Sequence, residues 1–176
     1  MNTLRADSLV LEPQLESHAA EMFGVLSDPA IYEFENEPPR TVAALGERCA
    51  RLESRTSTDG SEQWLNWVVK LPSGELAGYV QATVLPGGCA YVAYELASRF
   101  WRQGIGSAAL QLVLRELAQR YAVRDAYAVL KAANFRSLGL LRKLGFVPLP
   151  PTAQAPWTPE PDEVTMQRVL AGEDTT

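Results

Sequence analysis

The sequence predicts one mixed α+β domain, a central and mostly antiparallel sheet of about six or seven strands flanked by about four helices. Three observations predict it. Between residues 63 and 97, three runs rich in aromatic and β-branched residues are separated only by Pro/Gly turns, the pattern of an antiparallel meander. From Ser107 onward the apolar spacing changes to a helical period. The chain has 176 residues, 47% of them apolar, which suits a single domain with its own core and places it outside the disordered class.

Each element follows from local residues. Ser8 to Glu12 reads as a short strand closed by Pro13. Leu15 to Leu26 reads as a helix, with Leu15, Ala19, Met22, Phe23 and Leu26 on one face, and Asp28-Pro29 ends it. Tyr32 to Arg40 carries Glu33, Glu35 and Glu37 before Pro38-Pro39 and reads as a loop. Thr41 is suited to cap a second helix that turns Leu45, Cys49 and Leu52 inward, and Thr56 to Gly60 is a polar linker. The meander consists of Gln63–Lys70, Leu76–Leu85 and Cys89–Ala97. Leu110, Val113, Leu114, Leu117 and Tyr121 form one face of a long helix, and Asp125–Leu130 is a further strand. Asn134–Leu144 reads as a helix with Gly145 just past its end. Phe146 begins another strand, a proline-rich loop runs from Pro148 to Pro161, and Val164–Leu170 closes the sheet. Ala171 to Thr176 reads as a frayed tail.

Charge and composition exclude several function classes. The formal net charge of −5 does not suggest a nucleic-acid partner. Cys49 and Cys89 make no disulfide framework or zinc spacing, and with His18 as the sole histidine no protein metal site is expected. No run approaches a membrane span and the N-terminus lacks a signal-peptide pattern, so the chain reads as cytoplasmic with no membrane partner.

The segment Trp101–Ala109 joins a strand directly to the start of the long helix. Backbone N–H groups in the first turn of a helix lack partners and carry partial positive charge. Gly104 and Gly106 remove side chains there, and Arg102 adds a cation, so the segment predicts a cradle for a diphosphate. On its own, a Gly-x-Gly turn is equally a flexible connection. With Ala109 at the third glycine position the dinucleotide fingerprint is missing, and no Gly-Lys-Ser/Thr follows as in a P-loop.

The run RQGIGSAAL resembles the Gln/Arg-x-x-Gly-x-Gly/Ala motif of the GNAT N-acetyltransferases, with Trp101 in place of the first Gln or Arg. The order YELASRFWRQGIGSAAL is similar to that of the Rim-type branch, which acetylates ribosomal-protein N-termini and also includes acetyltransferases of other amines. Asn134-x-x-Ser137 followed by Lys143-Leu144-Gly145-Phe146 resembles the second family motif, and LVLEPQLESHAAEMFGVLSDP resembles the branch's opening strand and helix. The resemblance spans roughly residues 8 to 170. It implies a GNAT-like fold and transfer of an acetyl group from acetyl-CoA (coenzyme A) to an amine, either a small molecule or a protein N-terminus. It also implies a homodimer as an assembly to test. A non-catalytic acyl-CoA-binding module is the alternative.

The resemblance lays the pantetheine arm along Tyr94, Glu95 and Leu96, and the diphosphate on the backbone of Arg102, Gln103, Gly104, Ile105, Gly106 and Ser107. Asn134 would bond near the thioester end, a role compatible with its other reading as a helix N-cap. Amine attack on a thioester needs a neutral amine and a proton for the leaving sulfur. Many relatives carry a tyrosine acid where this chain has Leu141, so Ser137 is the candidate acid, or else a first-turn serine. Glu95 is the only carboxylate in the apolar run from Ala90 to Ala97 and is the candidate base, or else an ion-pair member. The acceptor would meet the acidic loop, with Tyr32, Glu33 and Glu35, and Trp157; a solvated loop and a core-sealing Trp are the alternatives. His18 reads as a surface or packing residue.

Overall fold

Eight strands form one sheet in the order β1-β2-β3-β4-β5-β6-β8-β7 in a computed structural model that describes residues 1–150, 153 and 155–170. The strands are β1 (Leu4–Ala6), β2 (Leu9–Pro13), β3 (Gln63–Lys70), β4 (Leu76–Leu85), β5 (Cys89–Leu96), β6 (Asp125–Lys131), β7 (Val147–Pro148) and β8 (Glu163–Val169). All neighbours are antiparallel except β5 and β6. The four helices are α1 (Ala19–Leu26), α2 (Val42–Leu52), α3 (Ile105–Arg120) and α4 (Phe135–Lys143).

The sheet exceeds the expected six or seven strands because Leu4–Ala6 pairs with β2 at the sheet edge. Three residues are too few to show an alternating pattern. The first predicted helix opens with a 3-10 turn, Glu16–His18, before α1 begins at Ala19. Phe146 is core, 2% exposed, and the strand starts one residue later. The predicted tail, Ala171–Thr176, lies outside the described residues.

Strand alternation gives the sheet two apolar faces. On one, Trp67, Val69, Val80, Ala82 and Val92 pack against Leu110, Val113, Leu114 and Leu117 of α3 and Leu141 of α4. Burying each of those helix leucines contributes about 1.5–3 kcal/mol relative to exposure. On the other, Val68, Leu76 and Tyr79 pack against Met22 and Val25 of α1 and Leu45 and Cys49 of α2. Thr41 caps α2 as expected, its hydroxyl accepting from the Ala44 N–H at 3.1 Å. Among the described residues no helix is long and apolar enough to cross a membrane.

Candidate active site

β5 is held along its whole length by β4, from Gly78↔Leu96 to Leu85↔Cys89, but meets β6 only at Cys89, Ala90 and Tyr91. Beyond Tyr91 the two strands diverge. The Ala97 N–H donates to the Ala77 carbonyl at 3.0 Å. By antiparallel alternation, Tyr91, Ala93 and Glu95 therefore bond to β4, while Tyr94 and Leu96 turn their backbone groups toward the gap; Val92 faces β6, where its N–H closes the last rung of the parallel ladder on the Tyr127 carbonyl. The Leu96 carbonyl is taken by the Trp101 indole N–H at 2.8 Å. Gly78 makes the β4–β5 approach possible: a Cβ there would stand 2.0 Å from the Glu95 carbonyl oxygen.

The gap leads to the start of α3. Arg102 (φ +60°) and Gly104 (φ +80°) are both left-handed, and together they fold the chain back into the helix. α3 begins at Ile105 instead of Ser107, with Gly104 as its N-cap and no side chain capping it. Its first helical bond runs from the Ala108 N–H to the Gly104 carbonyl, at 3.0 Å. The Ile105, Gly106 and Ser107 N–H groups therefore have no partner inside the helix. The two glycines do different things. Nothing lies within 4 Å of a Cβ placed on Gly104, whereas one on Gly106 would meet Leu140 at 2.9 Å and Leu96 at 3.2 Å. Gly104 leaves the turn open; Gly106 lets α3 pack closely against α4. An open groove of about 490 Å³ continues from Ser107 between α3 and α4, lined also by Gln111, Lys143 and Gly145.

Asn134 caps α4, its side-chain oxygen accepting from the Ser137 N–H at 3.1 Å. Ser137 lies in the first turn of α4, beside the Tyr94 hydroxyl. That hydroxyl is buried and meets no hydrogen-bond partner at ordinary geometry. Burial pushes it up to about 12, and the neighbouring Ser137 works against the rise. Leu141 is 1% exposed and belongs to the core.

Glu95 stands on the opposite face, paired across the ladder with Tyr79. Burial pushes its carboxyl above the usual carboxylate range, against the Tyr79 hydroxyl, Arg48 and Asn36, which favour the charged form; Glu35 adds to the rise. Ala93, two residues away on the same face, is exposed although β5 is a central strand. The sheet face is thus uncovered there, leaving a chamber open to solvent over Ala93. At its far end Tyr91 packs against Tyr127 (centroids 5.7 Å apart) and Trp157 (6.4 Å). Trp157 is 64% exposed and does not seal the core.

The acidic loop crosses the cleft instead of floating in solvent. Glu33 pairs with Arg136 at 2.6 Å, Phe34 meets Phe135 edge-on at 6.0 Å, and Asn36 donates to Glu95 at 3.3 Å. Burial first, then Glu163, pushes the Glu35 carboxyl up, while Lys131 and the neighbouring Asn134 side chain work against the rise. Tyr32 turns its hydroxyl to the Leu26 carbonyl at 2.8 Å. His18 accepts from the Leu15 N–H at 3.0 Å and faces Glu12 at 3.9 Å, away from the cleft.

Tyr94, Leu96, Asn134 and Ser137 thus gather at the gap with residues 102–107 at its mouth, while Glu95 lies on the opposite face of β5. Sequence reasoning missed Arg48, Tyr79, Ala93, Asn36 and Arg136. Only Asn36 carried a local signal, since Asn is among the few residues that tolerate its left-handed φ of +66°.

No curated protein sequence matches the chain. Among solved structures it resembles the coenzyme A complex of RimL, a ribosomal L7/L12 alpha-N-protein acetyltransferase, with TM-score 0.78 and 19% identity over 96% of this chain and 98% of that one. A ribosomal-protein-S5-alanine acetyltransferase from Vibrio fischeri gives TM-score 0.77 and 16% identity over 97% and 98%. MccE, a microcin C7 self-immunity acetyltransferase solved with acetyl-CoA and AMP, gives 0.75 and 16% over 93% of each chain. At these identities the likeness is one of fold. The model of the acetyltransferase (GNAT) domain matches residues 8–147, and with most of its length so covered the chain belongs to the GNAT acetyltransferase family.

Proposed function

We propose that this protein is a Rim-type N-acetyltransferase that binds acetyl-CoA in the gap beside β5 and acetylates a primary amine by direct attack in a ternary complex. The observation that carries the reading is the unpaired edge of β5 running into the uncapped start of α3. Those features fit the cofactor. Tyr94 offers a backbone donor and acceptor, and Val92 its carbonyl, to the pantetheine amides, and residues 102–107 offer N–H groups to the diphosphate. The groove beyond Ser107, with Lys143 on its rim, suits the nucleotide end.

Acetyl-CoA, when bound, supplies an acetyl thioester. Glu95 then accepts the proton of the incoming ammonium, directly or through water. Burial raises its carboxyl above the usual carboxylate range, which strengthens it as a base. Ser137 donates a proton toward the leaving sulfur, with the Tyr94 hydroxyl beside it. The acceptor occupies the chamber over Ala93, its amine at Glu95 and its body against Tyr91 and Trp157, with Tyr32, Glu33 and Glu35 bordering it. Of the neighbouring cations, Arg136 is engaged by Glu33 and Lys131 by Glu160, Asp162 and Glu163, while Arg48 faces Glu95 and Tyr79. An amine lacking an adjacent carboxylate, such as a peptide N-terminus or an arylalkylamine, fits better than a free amino acid. The same reading takes the chain as one catalytic domain, cytoplasmic, and a homodimer, the last checked by sedimentation.

The test is thiol release from acetyl-CoA with phenethylamine, a short peptide with a free N-terminus, putrescine and free amino acids as acceptors. Turnover with the first two is expected. Release with none of them, or with free amino acids alone, would overturn the proposed acceptor.

A further inference from the structure

The acidic loop meets the start of α4 through three consecutive residues and β5 through the fourth. Glu33 and Phe34 hold Arg136 and Phe135 of α4, Glu35 lies beside Asn134, and Asn36 donates to Glu95 on β5. Residues 33–36 thus form a strap between the two elements that diverge at the gap. Both ends of the strap are anchored. At its start, Asp28 accepts from the Ala30 N–H at 3.0 Å and from the Ser98 N–H at 2.6 Å, tying the 3-10 turn Pro29–Tyr32 to the end of β5. On α4, the Arg136 guanidinium lies over three rings, Trp101 at 4.7 Å, Phe135 at 4.9 Å and Phe34 at 5.5 Å, while its ion pair with Glu33 completes a clasp. A cation held by several rings and a carboxylate at once loses little further freedom when it binds, which favours one closed geometry.

We infer that Asn36 is a positioning residue for Glu95, presented by the strap Glu33–Asn36 and held in register by the Arg136 clasp. The inference rests on the reading of Glu95 as the base. The groups facing Glu95 are Tyr79 from β4, Arg48 from α2, and Glu35, Asn36 and Tyr32 from the strap and the turn before it. Tyr79 lies opposite Glu95 on β4, and it and Arg48 favour the charged carboxylate. Asn36 alone reaches it as a hydrogen-bond donor from the strap, and so sets its orientation relative to the chamber. The left-handed φ of Asn36, +66°, turns the chain so that its side chain returns toward β5.

The test follows the Asn36 side-chain amide of the full-length protein by ¹⁵N NMR across a pH titration, with ¹³C-labelled glutamate reporting Glu95 itself. In the unaltered protein the Asn36 amide signal should titrate with the Glu95 carboxyl, and Glu95→Gln should abolish that titration. In Asn36→Gly, which keeps the left-handed backbone unstrained, the Glu95 titration should move up by about half a pH unit, because a donor favouring the charged form is gone. Glu33→Ala should uncouple the Asn36 signal from Glu95 while leaving coenzyme A affinity unchanged by calorimetry. An Asn36 signal that ignores Glu95, or a Glu95 titration unmoved in Asn36→Gly, overturns the pairing. Coupling that survives Glu33→Ala overturns the clasp. Acetyl transfer at full rate by Glu95→Gln sinks the base reading itself, and would do so with the NMR coupling intact, so the two failures are separable.

Discussion

The turn before α3 and the chamber over Ala93 lie on either side of β5, yet residues 101–107 make the first in one continuous stretch while the second draws on positions from 32 to 157. The turn works through backbone. Its useful groups are N–H donors, and its side chains matter mainly where they are missing, as at Gly104. The chamber works through side chains: the Glu95 carboxyl, the Tyr91 and Trp157 rings, and the strap that brings Asn36 to Glu95. A backbone site recognises what is common to every reaction of a family, and a side-chain site can change its acceptor by substitution.

That contrast can be broken at either end. The largest effect is expected from Gly104→Glu, which forces a side chain into a left-handed residue and sets a negative charge in the open turn. Coenzyme A affinity should fall by about a hundredfold or more in calorimetry, with the melting curve showing a folded protein. Retained affinity would mean the turn holds no diphosphate. On the other side of β5, Glu95→Gln should lower kcat by about a hundredfold or more without changing coenzyme A binding. The sign of its pH dependence follows from burial. A base whose carboxyl titrates above the usual range loses activity as pH falls through that raised value. The deficit of Glu95→Gln should therefore be greatest above it and shrink below it, and a constant ratio across pH would remove Glu95 from the proton transfer.

Gly78→Ala probes the strand geometry that both halves share. Its Cβ would overlap the Glu95 carbonyl, so a loss of about 3 kcal/mol or more of stability is expected, read as a lowered Tm. Ser137→Ala should lower kcat by about tenfold, with acetyl-CoA affinity unchanged; an unaltered rate would pass the acid role to Tyr94 or water. The smallest effect is expected at the chamber's rim. Trp157→Ala should raise KM for an aromatic amine a few-fold and leave kcat near its original value, since an exposed ring contributes uniform binding.

Much of the fold was legible because its signals are local. QWLNWVVK became β3 and LAGYVQATVL became β4 with the expected bounds, each alternating between two packed faces. The inner face of α3 was readable from spacing alone, and its buried Leu110, Val113, Leu114 and Leu117 match that reading. The start of α3 was two residues off because a helix whose N-cap is a glycine announces itself by no capping side chain. β1 stayed hidden because Leu4–Ala6 gains its ladder only from β2.

By itself, the sequence determined the order of elements, the meander, the glycine turn and the two family motifs, because each depends on residues within a few positions of one another. The divergence of β5 from β6, the opposition of Tyr79 to Glu95, and the strap from Glu33 to Asn36 were decided only by tertiary structure. Asn36 and Glu95 are 59 positions apart and Glu33 and Arg136 are 103. No local preference encodes such pairs. They form only when helices packed on the two faces of one sheet bring those distant segments together.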